Sequence, residues 1–148
     1  MTSPFTIRVL DWSDAAPLAR PVREEVFVVE QGVPLAEEWD EHDARCRHAV
    51  AQDRAGGTIG TARLLPEGRI GRMAVRKGWR RKGVGAGLLR ALLDEARRSG
   101  IARVVLHAQT HAAGFYRGFG FSARGGEFLE AGIPHVEMTL DLRESPRA

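Results

Sequence analysis

The sequence predicts an α+β fold, a mixed and mostly antiparallel sheet with helices packed on both faces. Three observations predict it. Four strand-like segments fill the first half of the chain, one before and three after a single helical stretch. A strongly period-3.6 segment follows at residues 84–99, and a short apolar run, Val104-Val105-Leu106, comes directly after it. A strand, a helix and a strand in that order imply a right-handed crossover.

The elements follow in order. Residues 5–10 alternate, with Phe5, Ile7 and Val9 opposite Thr6, Arg8 and Leu10, as a first strand does. Asp11 or Ser13 can cap a helix over residues 14–29, and Pro17 and Pro21 predict its division into two short helices. Gln31-Gly32-Val33-Pro34 ends it, and residues 35–43 read as a loop or short helix. Strands are expected at 48–52, 58–65 and 69–75, joined by turns at 53–57 and at Pro66-Glu67-Gly68, so that the four strands form an antiparallel meander. Val84, Leu88, Leu89, Leu92, Leu93 and Ala96 mark one face of the next helix, and Gly100 suits its end. Residues 102–108 read as a strand buried on both faces. A short helix at 112–117 precedes a closing strand pair, 120–124 and 135–142.

A chain of 148 residues fits one domain, 1–148, able to bury a core without metal or disulfide. No apolar run approaches a membrane span. The start, Met1-Thr2-Ser3-Pro4, lacks the basic head and apolar core of a secretory signal. With a single cysteine, Cys46, which reads as a small core or surface residue, the expected compartment is the cytoplasm. Net charge is only +3, but it is segregated. From Gly68 to Leu93 there are eight Lys or Arg and no acid, and from Glu24 to Asp43 eight acids and no Lys or Arg. The first stretch suits a polyanion and the second a cation, unless both are solvated faces.

The strongest chemical signal is Arg80-x-x-Gly83-x-Gly85, which leaves the 69–75 strand and opens the helix. The first N–H groups of a helix have no partner within it, and its dipole adds positive potential there. Glycine lets the backbone approach a phosphate closely. Arg80, Arg81 and Lys82 add full charges, so the turn is built for a pyrophosphate. It is not a P-loop, because Val84-Gly85 follows Gly83 where Lys-Ser/Thr is needed. Nor is it a dinucleotide fingerprint, because Gly83-x-Gly85 is followed by Leu88.

Gly71-Arg72-Met73-Ala74-Val75, the Arg80 to Gly85 signature with Leu88-Leu89, and a second block resemble the GCN5-related N-acetyltransferase (GNAT) superfamily. That block is Val105-Leu106-His107-Ala108-Gln109 with Ala113-Gly114-Phe115-Tyr116-Arg117-Gly118-Phe119-Gly120-Phe121. Residues 26–34, 40–43, 108–112 and 132–135 are similar to the small bacterial ElaA/YjcF-like group within it. The resemblance implies that the 69–75 and 102–108 strands run side by side and splay apart, with a bulge in the former that aims an N–H at a thioester carbonyl. It implies acetyl-coenzyme A as co-substrate, with no metal. The cofactor-binding residues it implies are Met73, Ala74 and Val75, along the pantetheine arm, and Arg80, Arg81, Lys82, Gly83, Val84, Gly85 and Ala86, around the pyrophosphate. Gln109 and Phe115 would contact the arm, although Gln109 also fits a polar strand end. A homodimer is common in such a family.

Acetyl transfer to an amine needs a base for the amine proton, a donor to the oxyanion and an acid for the departing thiolate. The resemblance assigns the acid to Tyr116, the chain's single tyrosine. For the base, His107 and His135 stand out because imidazole titrates near neutrality. Glu30, Glu38, Asp40, Glu41 and His111 are further candidates, and the acidic stretch can attract the acceptor amine. Trp79 is expected to pack near the phosphate turn and Trp12 near the first helix; Trp39 lies within the acidic stretch and reads either as an ordinary packed residue or as a wall of the acceptor site. The expected activity is direct transfer of an acetyl group to a primary amine, on a small molecule or a peptide. The alternative is a non-catalytic module that binds acyl-CoA. A nucleic-acid partner is not expected, because the basic stretch lacks interleaved aromatics.

Overall fold

The computed structural model describes residues 3–38 and 40–143. Seven strands form one sheet: β1 (Phe5–Asp11), β2 (Arg47–Asp53), β3 (Thr58–Leu64), β4 (Arg69–Val75), β5 (Arg103–Gln109), β6 (Ser122–Glu130) and β7 (Ile133–Asp141). Their spatial order is β1-β2-β3-β4-β5-β7-β6. Neighbours are antiparallel except β4 and β5, which the crossover helix makes parallel. The α+β expectation and the meander are therefore observed.

That helix, α3 (Val84–Arg98), buries the six residues that the periodicity singled out, Val84, Leu88, Leu89, Leu92, Leu93 and Ala96. They pack on Ala49 and Ala51 of β2, Ile59 and Ala62 of β3, and Ile70 of β4. Gly100 ends α3 at φ +76°, and Ile101 N–H donates back to Ala96 O at 2.9 Å. The opposite face is covered by α1 (Trp12–Arg23), whose Trp12 ring packs, tilted by 36°, on His48 of β2 at 4.6 Å. Cys46 is buried, and its thiol donates to His42 O at 3.1 Å. Among the described residues, no helix is long and apolar enough to cross a membrane.

Three expectations need correction. Pro17 and Pro21 do not split the first helix: α1 is continuous and runs on as a wider π-wound segment, Glu24–Glu30. The prolines are four residues apart and exposed, so the carbonyls they leave unbonded face water, while Ala15, Ala19 and Val22 hold the inner face. Secondly, β6 does not stop at Arg124. Its register slips between Arg124, opposite Glu137, and Phe128, opposite His135, and the strand then continues to Glu130. The Gly125-Gly126 pair that hides this continuation from a propensity reading absorbs the slip, with Gly125 at φ +75°. Thirdly, β5 is buried on only one face. Val104, Leu106 and Ala108 are buried, whereas Val105, His107 and Gln109 are half-buried, because β4 parts from β5 beside them.

Candidate active site

The parting of β4 and β5 makes the site. The two strands pair only at Arg69 opposite Val105 and Ile70 opposite Leu106. The seam starts at Gly68, whose carbonyl accepts from Val105 N–H at 3.0 Å. A Cβ on Gly68 would strike the Arg103 carbonyl, and its φ of +104° is a glycine conformation. Past Ile70, β4 carries one residue more than β3 between Gly71, opposite Arg63, and Ala74, opposite Thr61. Arg72 takes up the excess at φ +50°. The bulge bends β4 away from β5, as expected, and opens a cleft of about 980 Å³.

Met73, Ala74, Val75, Arg80, Arg81, Gln109 and Phe115 line this cleft, together with Tyr116, His107 and His135. Of the twelve cofactor-binding residues expected from the sequence, with Tyr116, His107 and His135, ten are thus brought to one cavity. The other five, Lys82, Gly83, Val84, Gly85 and Ala86, form the turn into α3 beyond its wall. There Arg81 and Gly83 have positive φ, of +63° and +86°, and no side chain caps α3. Val84 is 1% exposed, so the first turn presents backbone rather than side chain. The Lys82 ammonium sits 5.6 Å from the centre of the Trp79 ring, as the place of Trp79 near this turn predicted. Arg80 is engaged elsewhere: it forks onto Glu30 at 2.9 and 2.7 Å and donates from Nε to Val75 O at 2.9 Å. The hydrogen bonding of Arg80 to Glu30 holds the Glu30 carboxyl below its ordinary range and ties Glu30 up as a base.

At the bulge, the Tyr116 hydroxyl donates to Met73 Sδ at 3.7 Å. The ring stands edge-on to Phe115, at 5.0 Å, and to Phe121, at 6.0 Å. Burial pushes its phenol up to about 12. Gln109 donates from Nε2 to Gln31 Oε1 at 3.3 Å, which links β5 to the end of the first helix.

Across the cleft, His135 and His107 differ in what their rings have free. His135 Nδ1 lies 2.6 Å from Ile133 O. A carbonyl only accepts, so Nδ1 carries a proton, and in the neutral ring the lone pair is on Nε2. His107 Nε2 lies 3.1 Å from Arg69 Nη1, a group that only donates, so its proton is on Nδ1, which donates to Glu130 Oε1 at 2.7 Å. Glu130 Oε2 stands 3.9 Å from His135 Nε2, and Phe128 packs against both rings, at 4.9 Å from His107 and 6.1 Å from His135. Arg69 and Glu130 were not singled out from the sequence. Glu130 stands on the part of β6 that the Gly125-Gly126 pair conceals.

The acidic stretch is largely neutralised. Arg23, 2% exposed, donates to Glu38 at 2.6 Å and to Asp43 at 2.9 and 3.1 Å. Arg63 forks onto Asp40 at 2.7 and 2.9 Å and reaches Asp43 at 2.8 Å, while Arg72 reaches Asp40 at 3.0 Å. Burial pushes the Asp40 carboxyl up, but the hydrogen bonds and charge of Arg63, with the charge of Arg72, outweigh it and hold Asp40 at about 2. These three acids fasten α1 to the sheet and are poorly disposed to attract an amine. Glu41 and His111 are exposed, His111 on the cleft wall. Trp39 lies outside the described residues, as do Met1 and Thr2.

A splayed parallel pair, a bulge on its first strand and a glycine-opened helix behind it define an acyltransferase. Residues 15–142 match the acetyltransferase (GNAT) domain, and the chain belongs to that family. It is 40% identical over 124 residues to the uncharacterized N-acetyltransferase YjcF of Bacillus subtilis, covering 81% of this chain and 88% of that one. Among solved structures it is similar to an acyl-CoA N-acyltransferase from Pseudomonas aeruginosa (30% identity, TM-score 0.82, 91% and 98% of the two chains). It is likewise similar to Escherichia coli ElaA (28% identity, TM-score 0.81, 91% and 98%). The narrower likeness read from the sequence is therefore found as well.

Proposed function

We propose that the protein transfers an acetyl group from acetyl-CoA directly to a primary amine, with Tyr116 as the general acid and His135 as the base. The observation that carries this reading is the placing of the Tyr116 hydroxyl against Met73, at the bulge where β4 leaves β5. The residues present fit acetyl-CoA. The uncapped backbone of Gly83, Val84, Gly85 and Ala86, with Arg81 and Lys82, would hold the pyrophosphate. The open edge of Met73 to Val75 would pair with the pantetheine arm, beside Gln109 and Phe115. What acetyl-CoA supplies is an activated acyl group on a thiol leaving group.

The chain's own residues do the rest. His135 Nε2, its lone pair directed by the Nδ1–H···Ile133 bond, accepts the amine's proton. The bulge at Arg72 interrupts the regular pairing of β4 and would leave an N–H there for the oxygen on which charge develops. Tyr116 gives its proton to the departing sulfur. A phenol pushed up to about 12 is fully protonated at neutral pH and can donate. Arg80, held by Glu30, joins the end of the first helix to the end of β4 and would free a third cation for the pyrophosphate if that pair opened.

The test is thiol release from acetyl-CoA with a panel of amines. Tyr116→Phe lowers kcat by about 10²-fold or more, with little change in the KM for acetyl-CoA. An unchanged kcat removes Tyr116 from the acid role, and absence of transfer to every amine in the panel overturns the reading as a whole.

A further inference from the structure

Most charges along the cleft are already paired. Arg63, Arg72 and Glu38 belong to the buried network and Arg80 pairs with Glu30, while Arg81 stands at the far end of the cleft, at the turn into α3 assigned above to the pyrophosphate. Two charges remain at the other end, Arg69 on β4 and Glu130 at the end of β6. They are held one imidazole ring apart, through Arg69 Nη1···Nε2 His107 at 3.1 Å and His107 Nδ1–H···Oε1 Glu130 at 2.7 Å. Among the described residues, neither is in an ion pair with a group of fixed opposite charge: Arg69 meets the His107 lone pair, and Glu130 meets His107 and His135. Glu137 approaches His107 Nε2 at 3.4 Å but does not line the cleft.

An unpaired cation and an unpaired anion, fixed by a ring between them and open to one cavity, are complementary to a zwitterion. We infer that the acceptor is an amine that also bears a carboxylate, an α-amino acid, with its ammonium on Glu130 beside His135 and its carboxylate on Arg69. This rests on the transfer reading above. Guanidinium matches carboxylate with two parallel hydrogen bonds, which a neutral amide cannot reproduce. Glu130 places the nitrogen next to the His135 lone pair that takes its proton. A polyamine would put a second cation against Arg69 and is disfavoured.

The experiment compares the common α-amino acids with their α-amides, by rate of thiol release from acetyl-CoA and by calorimetric binding to the CoA-saturated protein. The acids are expected to exceed their amides in kcat/KM by about ten-fold or more, the scale of one charge-assisted hydrogen bond. Arg69→Gln brings the acid-to-amide ratio to about one, and Arg69→Lys, which keeps the charge but not the fork, restores part of it. Circular dichroism checks that the variants fold. Equal use and equal binding of acids and amides by the wild type, or a preference that survives Arg69→Gln, overturns the inference. Binding that prefers acids without transfer to any amine supports this inference and overturns the transfer reading instead.

Discussion

Tyr116 is the chain's one tyrosine, which makes its proton directly observable. Its hydroxyl has a thioether for a partner and apolar rings around it, so the phenolate is poorly solvated there. Tyrosinate absorbance near 295 nm is expected to rise with a midpoint near 12 in the folded protein, against about 10 for the chain in denaturant. A midpoint near 10 in the native state would mean that the ring is solvated and not built as described. The same comparison fixes the sign for stability. The folded state keeps the proton more tightly, so this contribution is intact below about 10 and is lost as pH rises from there toward 12.

The element most dependent on charge is the first helix. Its tie to the sheet is Arg23, buried with Glu38 and Asp43, backed by Arg63 on Asp40 and Asp43. Arg23→Ala removes the cation that the buried Glu38 and Asp43 share, leaving Asp43 with Arg63 and Glu38 with Arg72 at 3.7 Å, and is expected to cost about 3 kcal/mol in urea unfolding. Arg45→Ala removes a pair with Glu67 whose side chains are 47% and 55% exposed, and costs less than about 1 kcal/mol. Similar costs for both would show that the buried network is not what anchors the helix. Asp40, depressed to about 2, adds stability that is complete above the ordinary carboxylate range and lost as pH falls from about 4 toward 2. Such a network cannot be read in advance. The alternation of β1, the face of α3 and the turn at Gly83 are local patterns within a few residues, so period and turn chemistry reveal them. Arg23 meets Asp43 twenty positions away, and Arg63 meets the same carboxylate from the other side. In the sequence these acids look like an attractive surface for an amine, because nothing local shows that three arginines fold onto them. The Glu130 end of β6 was hidden for a related reason: a glycine pair lowers strand propensity, while pairing with β7 overrides it.

At the scale of the molecule, the cleft follows from how little joins β4 to β5. On one side lie β1 to β4, on the other β5, β7 and β6, with two opposed residue pairs between them and α3 crossing over. Peptides covering residues 71–75 are expected to exchange amide hydrogens quickly in the free protein and more slowly with saturating CoA, measured by mass spectrometry. At a hundred times its Kd, a ligand that binds only the folded state adds about 2.7 kcal/mol, enough to move Tm by several degrees. No change in either measurement would place CoA outside this wedge. Mechanically, the sheet is two plates stitched by a short seam, and on the proposed reading the acyl donor is a removable stitch. Each turnover would then take out part of what holds the plates together, leaving the protein at its loosest between one acetyl group and the next.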